Sequence, residues 1–150
     1  MRTRLLIDSE VALWALAAPA RLTREARELI EGSDAYVSAA SILELGAECA
    51  SGVRAQELVA ALEPSGFQAL GVSAEHAALA AQLPGGYADR FDRLLVAQAS
   101  VERMTLLTSD PSLVAAAAGA APKAGARARR RRAEPPPVAR CPIVLVARRR

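Results

Sequence analysis

Asp89-Arg90-Phe91-Asp92-Arg93-Leu94-Leu95-Val96-Ala97-Gln98-Ala99-Ser100-Val101-Glu102-Arg103, followed at once by Met104-Thr105-Leu106-Leu107-Thr108-Ser109-Asp110, is the stretch that decides the fold. Leu95, Val96 and Ala99 recur at helical spacing, which predicts a helix from about Asp89 to Arg103 with one apolar face. Met104 to Thr108 is an apolar run too short for another helix and suited to a buried strand. A helix feeding straight into such a strand is half of a strand–helix–strand unit, and repetition of that unit predicts a parallel sheet.

The alternation continues upstream. Thr3 to Ile7 reads as a short buried strand, followed by Asp8 and a helical segment Val11 to Leu16 that Pro19 breaks. Thr23 is a fitting N-cap for a helix over Arg24–Glu31, and Gly32 is a natural stop. Ala35 to Ala39 is a second strand, and Ser41-Ile42-Leu43-Glu44 has the capping-box pattern of a helix running to about Ala50. Gln56 to Leu62 reads as a helix closed near Pro64, and Phe67 to Val72 as a weaker strand. Ser73 caps a helix over Ala74–Leu83, and Pro84-Gly85-Gly86 is a loop. Pro111 suits the first position of a last short helix, Ser112 to Ala118. Residues 1–118 are thus expected to form a three-layer α/β/α domain around a central, mainly parallel sheet.

Composition bounds the rest. The chain of 150 residues is 52% hydrophobic but only 3% aromatic, so Ala, Leu and Val must fill its core. Two cysteines, Cys49 and Cys141, are too few for a disulfide framework or a cysteine-based zinc site. The basic N-terminus is followed by an apolar run that Asp8 stops, unlike a signal peptide. No segment approaches the ~20 apolar residues of a membrane span. A soluble, cytoplasmic protein is expected.

The formal charge of +3 hides an asymmetry. Residues 1–118 carry 9 Arg against 15 acids, a net of −6, whereas residues 119–150 carry 10 basic residues against one acid, a net of +9. In that second stretch 24 of 32 residues are Gly, Ala, Pro or Arg, leaving too little apolar surface to offset ordering entropy. Residues 119–150 therefore read as a disordered basic tail, with Cys141 to Val146 as the one piece able to form a strand. The run Arg129–Arg132 can grip RNA phosphates or simply be solvated, and the solvated reading is favoured.

Against this background the acids stand out. Asp8 ends the first strand and Asp110 follows the last. Glu44 lies near the start of one helix, and Asp92 lies at the start of another on the face of Leu95, Val96 and Ala99. Strand ends and helix starts gather at one edge of an α/β sheet, where such folds bind ligands. Each acid also has a bland reading as a turn residue or a helix cap, Glu44 as the partner of Ser41. Jointly the caps have no reason to converge, and converging carboxylates repel unless a cation neutralises them. Carboxylates without His or Cys favour a hard cation. Asp89 is accessory, able to pair with Arg93 one turn on. Trp14 reads as core or a partner contact, His76 as a packed or solvated residue, and Cys49 as a small buried one.

Leu5-Leu6-Ile7-Asp8, Leu13-Trp14-Ala15-Leu16, Val37-Ser38-Ala39-Ala40-Ser41-Ile42-Leu43-Glu44-Leu45, the Asp89–Ala99 stretch and Leu106-Leu107-Thr108-Ser109-Asp110 run in an order that resembles PIN-domain ribonucleases, most closely VapC-type toxins. The resemblance covers about residues 4–118. It implies that Asp8, Glu44, Asp92 and Asp110 are both metal ligands and catalytic residues, with Thr108 and Ser9 as accessory hydroxyls. It implies a Mg²⁺- or Mn²⁺-dependent endoribonuclease acting on single-stranded RNA, a cognate antitoxin, and a homodimer.

The chain departs from the pattern in three places. Asp8-Ser9-Glu10 stands where the subgroup usually has Asp-Thr-His, and Tyr87 and Asp89-Arg90-Phe91-Asp92 replace a His and an Asp-Pro-Phe-Asp run. The family also ends with one more strand soon after the Asp110 helix. Here either Ile143 to Val146 supplies it after a long excursion, or the tail comes from a shifted reading frame. Two other functions compete: a catalytically silent RNA- or protein-binding module, and a phosphotransfer or phosphatase domain. The latter is disfavoured because no second aspartate follows Asp8 at the usual spacing.

Overall fold

The computed structural model describes residues 1–47, 54–87, 89–120 and 143–145. The expectations for Cys49, Cys141, the helix end near Ala50 and the Arg129–Arg132 run lie outside them. Strand β1 (Arg4–Ile7) leads into α1 (Ser9–Ala17), a 3-10 turn (Pro19–Arg21) and α2 (Arg24–Glu31). Next come β2 (Asp34–Ser38), α3 (Ala39–Ala47), α4 (Ala55–Leu62), a second 3-10 turn (Glu63–Ser65) and β3 (Phe67–Leu70). The hairpin of α5 (Ala74–Gln82) and α6 (Arg90–Val101) precedes β4 (Thr105–Thr108), α7 (Pro111–Ala120) and β5 (Ile143–Leu145).

The sheet order is β3-β2-β1-β4-β5, and every pairing is parallel. β1 is its centre, flanked by β2 on one side and β4 on the other, so chain direction across the sheet reverses there. Such a reversal opens a crevice at the carboxyl ends of the strands. The fifth strand is supplied by Ile143–Leu145, which pairs with Leu106, Leu107 and Thr108. Among the described residues no helix is long and apolar enough to cross a membrane.

Successive side chains on a strand point to opposite faces, and the two cores divide accordingly. Leu5, Ile7, Ala35, Val37, Phe67 and Leu107 pack under α1, α2 and α4 with Trp14, Leu22, Ala26 and Leu62. Leu6 and Leu106 face the other way, against Leu79, Leu95, Val96, Ala99 and Leu113 of α5, α6 and α7 and against Leu83 and Tyr87 of the α5–α6 connection. Each fully buried Leu or Ile contributes on the order of 2 kcal/mol. Trp14 is core, only 1% exposed. The three-layer expectation holds.

Polar clamps fix how α6 sits. Gln98, fully buried, accepts from the Ser38 hydroxyl (2.6 Å) and donates to the Gly71 carbonyl (3.1 Å), joining α6 to the ends of β2 and β3. At its far end His76 is buried at the start of α5. It accepts at Nδ1 from the Ser73 N–H (3.0 Å) and faces Glu102 through Nε2 (3.2 Å). Glu102 also meets Arg4, whose guanidinium lies over the Tyr36 ring. Arg103 turns the chain into β4 with φ of 54°, a left-handed conformation that costs a residue carrying a Cβ about 1 kcal/mol.

Two stability changes follow from these contacts. Gln98→Ala leaves the buried Ser38 hydroxyl without its acceptor and removes the tie to the Gly71 carbonyl, and is expected to cost about 1–3 kcal/mol in urea unfolding. Arg103→Gly relieves the backbone and is expected to raise stability by about 0.5–1 kcal/mol in the same measurement.

Candidate metal centre at the carboxyl edge of the sheet

Asp8 is the first residue beyond β1 and is 8% exposed. Its N–H donates to the Leu107 carbonyl (3.0 Å), continuing the β1–β4 ladder by one rung. One carboxylate oxygen, Oδ1, caps α1 by accepting from the Val11 N–H (2.8 Å). The other accepts from the Thr108 hydroxyl and from the Ser109 N–H (3.0 Å). Burial pushes the Asp8 carboxyl above its ordinary value, against these three donors, which favour the charged form.

Glu44 lies in the second turn of α3 and accepts from the Ser9 hydroxyl. The capping-box expectation for Ser41 and Glu44 is corrected here. Because β2 passes into α3 without a loop, Ser38 does the capping, its hydroxyl accepting from the Ala40 N–H (3.0 Å). Ser41 is one turn further in and buried, its hydroxyl without a hydrogen-bond partner among the described residues. Glu44 is therefore not held as a cap and projects from the helix beside Ser9.

At the N-terminus of α6, Asp89 caps the helix, its Oδ1 accepting from the N–H groups of Phe91 (2.7 Å) and Asp92 (3.2 Å). The expected Asp89–Arg93 pair does not form. Arg93 turns instead toward the carbonyls of Ala80, Leu83, Pro84 and Tyr87. Asp110 caps α7 with both oxygens, accepting from the Ser112 N–H and hydroxyl (2.7 Å each). Its own N–H donates to Thr108 Oγ1 (3.0 Å).

Asp92 reports what these acids do to one another. Partial burial raises its carboxyl to about 6, and the nearby charges of Asp89, Asp110, Glu44 and Asp8 push in the same direction. No hydrogen-bond donor among the described residues reaches its side chain. No Arg or Lys among them forms an ion pair with Asp8, Asp92 or Asp110. The sequence-predicted acids thus share one electrostatic neighbourhood. As placed, no three of the described His, Cys, Asp or Glu side chains are gathered tightly enough to hold one ion.

Sequence reasoning missed Ser109, whose hydroxyl donates to Glu10 (2.7 Å) while its N–H serves Asp8. It also missed Arg93 and Gln98. Loop hydroxyls have no periodicity to betray them. Beside the acids a groove of about 340 Å³ is lined by Ser9, Glu10, Leu13, Trp14, Arg21, Glu44 and Leu45, with the Arg21 guanidinium over the Trp14 ring.

Residues 5–119 match the PIN domain. The chain belongs to the PIN domain family. No curated protein sequence matches it significantly. Solved structures share its fold. A toxin–antitoxin complex from Klebsiella pneumoniae contains a chain 21% identical, with TM-score 0.51, the alignment covering 71% of this chain and 86% of that one. DNA-bound VapBC from Salmonella typhimurium gives TM-score 0.58 at 13% identity over 75% of this chain and 91% of that one. FitAcB from Neisseria gonorrhoeae gives 0.53 at 23% identity over 75% and 92%. At these identities the likeness is one of fold.

The raised Asp92 carboxyl has a consequence for stability. The folded state keeps its proton up to about pH 6 while an unfolded Asp releases it near 3.8, so the associated stability is present below about 4 and lost as pH rises through 6. Without divalent ions, Asp92→Asn is expected to be more stable than wild type at pH 7.5 by about 1 kcal/mol, a figure discounted for partial solvation. The difference should vanish near pH 4. Thermal unfolding of both proteins across this range checks it.

Proposed function

We propose that this PIN domain is a metal-dependent endoribonuclease that cleaves single-stranded regions of RNA and serves as the toxin of a toxin–antitoxin pair. One observation carries the reading: Asp92, raised to about 6 first by burial and then by the charges of Asp89, Asp110, Glu44 and Asp8, stands among acids, and no cationic side chain pairs with Asp8, Asp92 or Asp110 among the described residues. Excess negative charge without a protein cation is the expected signature of a site that takes a cation from solution.

The chemistry of the donor set suits Mg²⁺, with Mn²⁺ as the alternative, and these four residues would hold it once drawn closer around one point than they stand in this structure. Such an ion supplies a lowered pKa for attacking water and a counter-charge for phosphate oxygens. The chain's own residues do the positioning. Thr108 and Ser109 orient Asp8, Ser9 orients Glu44, and Asp89 fixes the N-terminus of α6 from which Asp92 projects. One of the acids accepts the proton of the attacking water.

The groove beside Glu44 suits an antitoxin segment. Its half-buried Leu13 offers apolar contact, and the carboxylates of Glu10 and Glu44 on its lining suit a basic side chain. Homodimerisation and a cytoplasmic location complete the proposal. A second reading, the catalytically silent RNA- or protein-binding module, draws on the carboxylates not being gathered around one point.

RNA cleavage with Mg²⁺ or Mn²⁺ separates the two. Wild type is expected to cut single-stranded RNA, EDTA to abolish cutting, and Asp8→Asn or Asp92→Asn to lower it at least ~100-fold. Cleavage that survives EDTA or both substitutions overturns the metal-site reading. A wild-type chain that binds RNA without cutting it establishes the silent module.

A further inference from the structure

We infer that Arg93 is a positioning residue for the acidic site, acting through the α5–α6 connection rather than through its charge. The inference rests on the nuclease reading above. Arg93 follows Asp92 directly, where a guanidinium would ordinarily be expected to neutralise neighbouring acids. It makes no ion pair among the described residues. Its donors go to backbone carbonyls instead: Nε to Tyr87 (2.7 Å), Nη1 to Leu83 (2.8 Å) and Ala80 (3.3 Å), and Nη2 to Pro84 (3.2 Å).

These acceptors are the last turn of α5 and the loop that leads into α6. The final carbonyls of a helix have no partner inside it, and cationic donors there complement the dipole. Leu83 and Tyr87, which carry two of the accepting carbonyls, are also buried in the core under α6. The fork therefore ties the loop's backbone to the first turn of α6 from one side while the core holds its side chains from the other. What the fork fixes is where α6 begins, and hence where Asp89 and Asp92 stand. Gln98 secures the same helix two turns further on.

Only a planar fork reaches this set of carbonyls. Lysine offers a single point of attachment with three donors, so Arg93→Lys keeps the charge and loses the geometry. If Arg93 acted by charge, Lys would rescue it. If it acts by position, Lys fails while the protein stays folded.

The experiment measures Mg²⁺ affinity by calorimetry and, separately, the kcat and KM of cleavage on a short single-stranded RNA. It compares wild type, Arg93→Lys, Arg93→Met and a stability-matched variant, Leu113→Ala, which opens a cavity in the same core but removes none of the carbonyls that Arg93 bonds. Arg93→Lys and Arg93→Met are expected to weaken Mg²⁺ about 10-fold and to lower kcat by a similar factor. KM is expected to stay within about twofold, and Leu113→Ala to keep wild-type affinity. Wild-type Mg²⁺ affinity in Arg93→Lys overturns the positioning role, as does an equal loss in Leu113→Ala. Wild-type protein that neither binds Mg²⁺ nor cuts RNA overturns the nuclease reading itself, a distinct result.

Discussion

The buried carboxylate of Asp8 is the constraint on which the carboxyl edge of this molecule depends. It stands at the end of the central strand, so whatever holds it also fixes β1 against β4 and starts α1. Three donors favour its charged form, and burial opposes them strongly enough to raise the carboxyl above its ordinary value. A neutral residue of the same shape would leave the Val11 N–H, the Thr108 hydroxyl and the Ser109 N–H with a poorer acceptor. Each buried donor so orphaned costs about 1–3 kcal/mol. The fold thus retains a costly charge where a hydrophobic residue would serve packing better.

Two of the four candidate ligands, Asp8 and Asp110, are also helix caps. Asp8, Asp89 and Asp110 each accept from backbone N–H groups of the helix they begin. A cap fixes a carboxylate's orientation while leaving lone pairs free, since each ionised carboxylate has about four acceptor positions. Asp92 is the exception, because no donor among the described residues reaches it. It therefore absorbs the repulsion of the cluster, whereas Asp8 has donors that offset part of its burial cost. Division of labour between anchored and unanchored acids gives the site a rigid frame with one poorly neutralised member.

Most of the architecture was legible in the sequence. Alternation between Leu5, Leu6 and Ile7 divides the two cores, and helical spacing over Leu95, Val96 and Ala99 marks the face that packs. The positions of Asp8, Glu44, Asp92 and Asp110 could be read from strand ends and helix starts, because parallel topology delivers both to one edge. Two local readings failed for a shared reason. Ser41–Glu44 and Asp89–Arg93 were read as contacts along a single helix, yet Ser38 and the α5–α6 loop compete for those ends from elsewhere. Spacing rules describe isolated helices, and helix termini are where neighbouring chain intervenes most.

The low identity of the structural neighbours follows from the same physics. Chains 13–23% identical keep this fold because its cores require apolar volume and correct alternation rather than particular side chains. The polar clamps are less forgiving, since a buried donor or acceptor needs a partner of specific geometry. Gln98 between Ser38 and Gly71, and Arg93 across four carbonyls, impose conditions that apolar packing does not. A fold indicates only where a site can lie. In this chain the clamps on α6 fix where the helix that carries Asp92 begins at that edge.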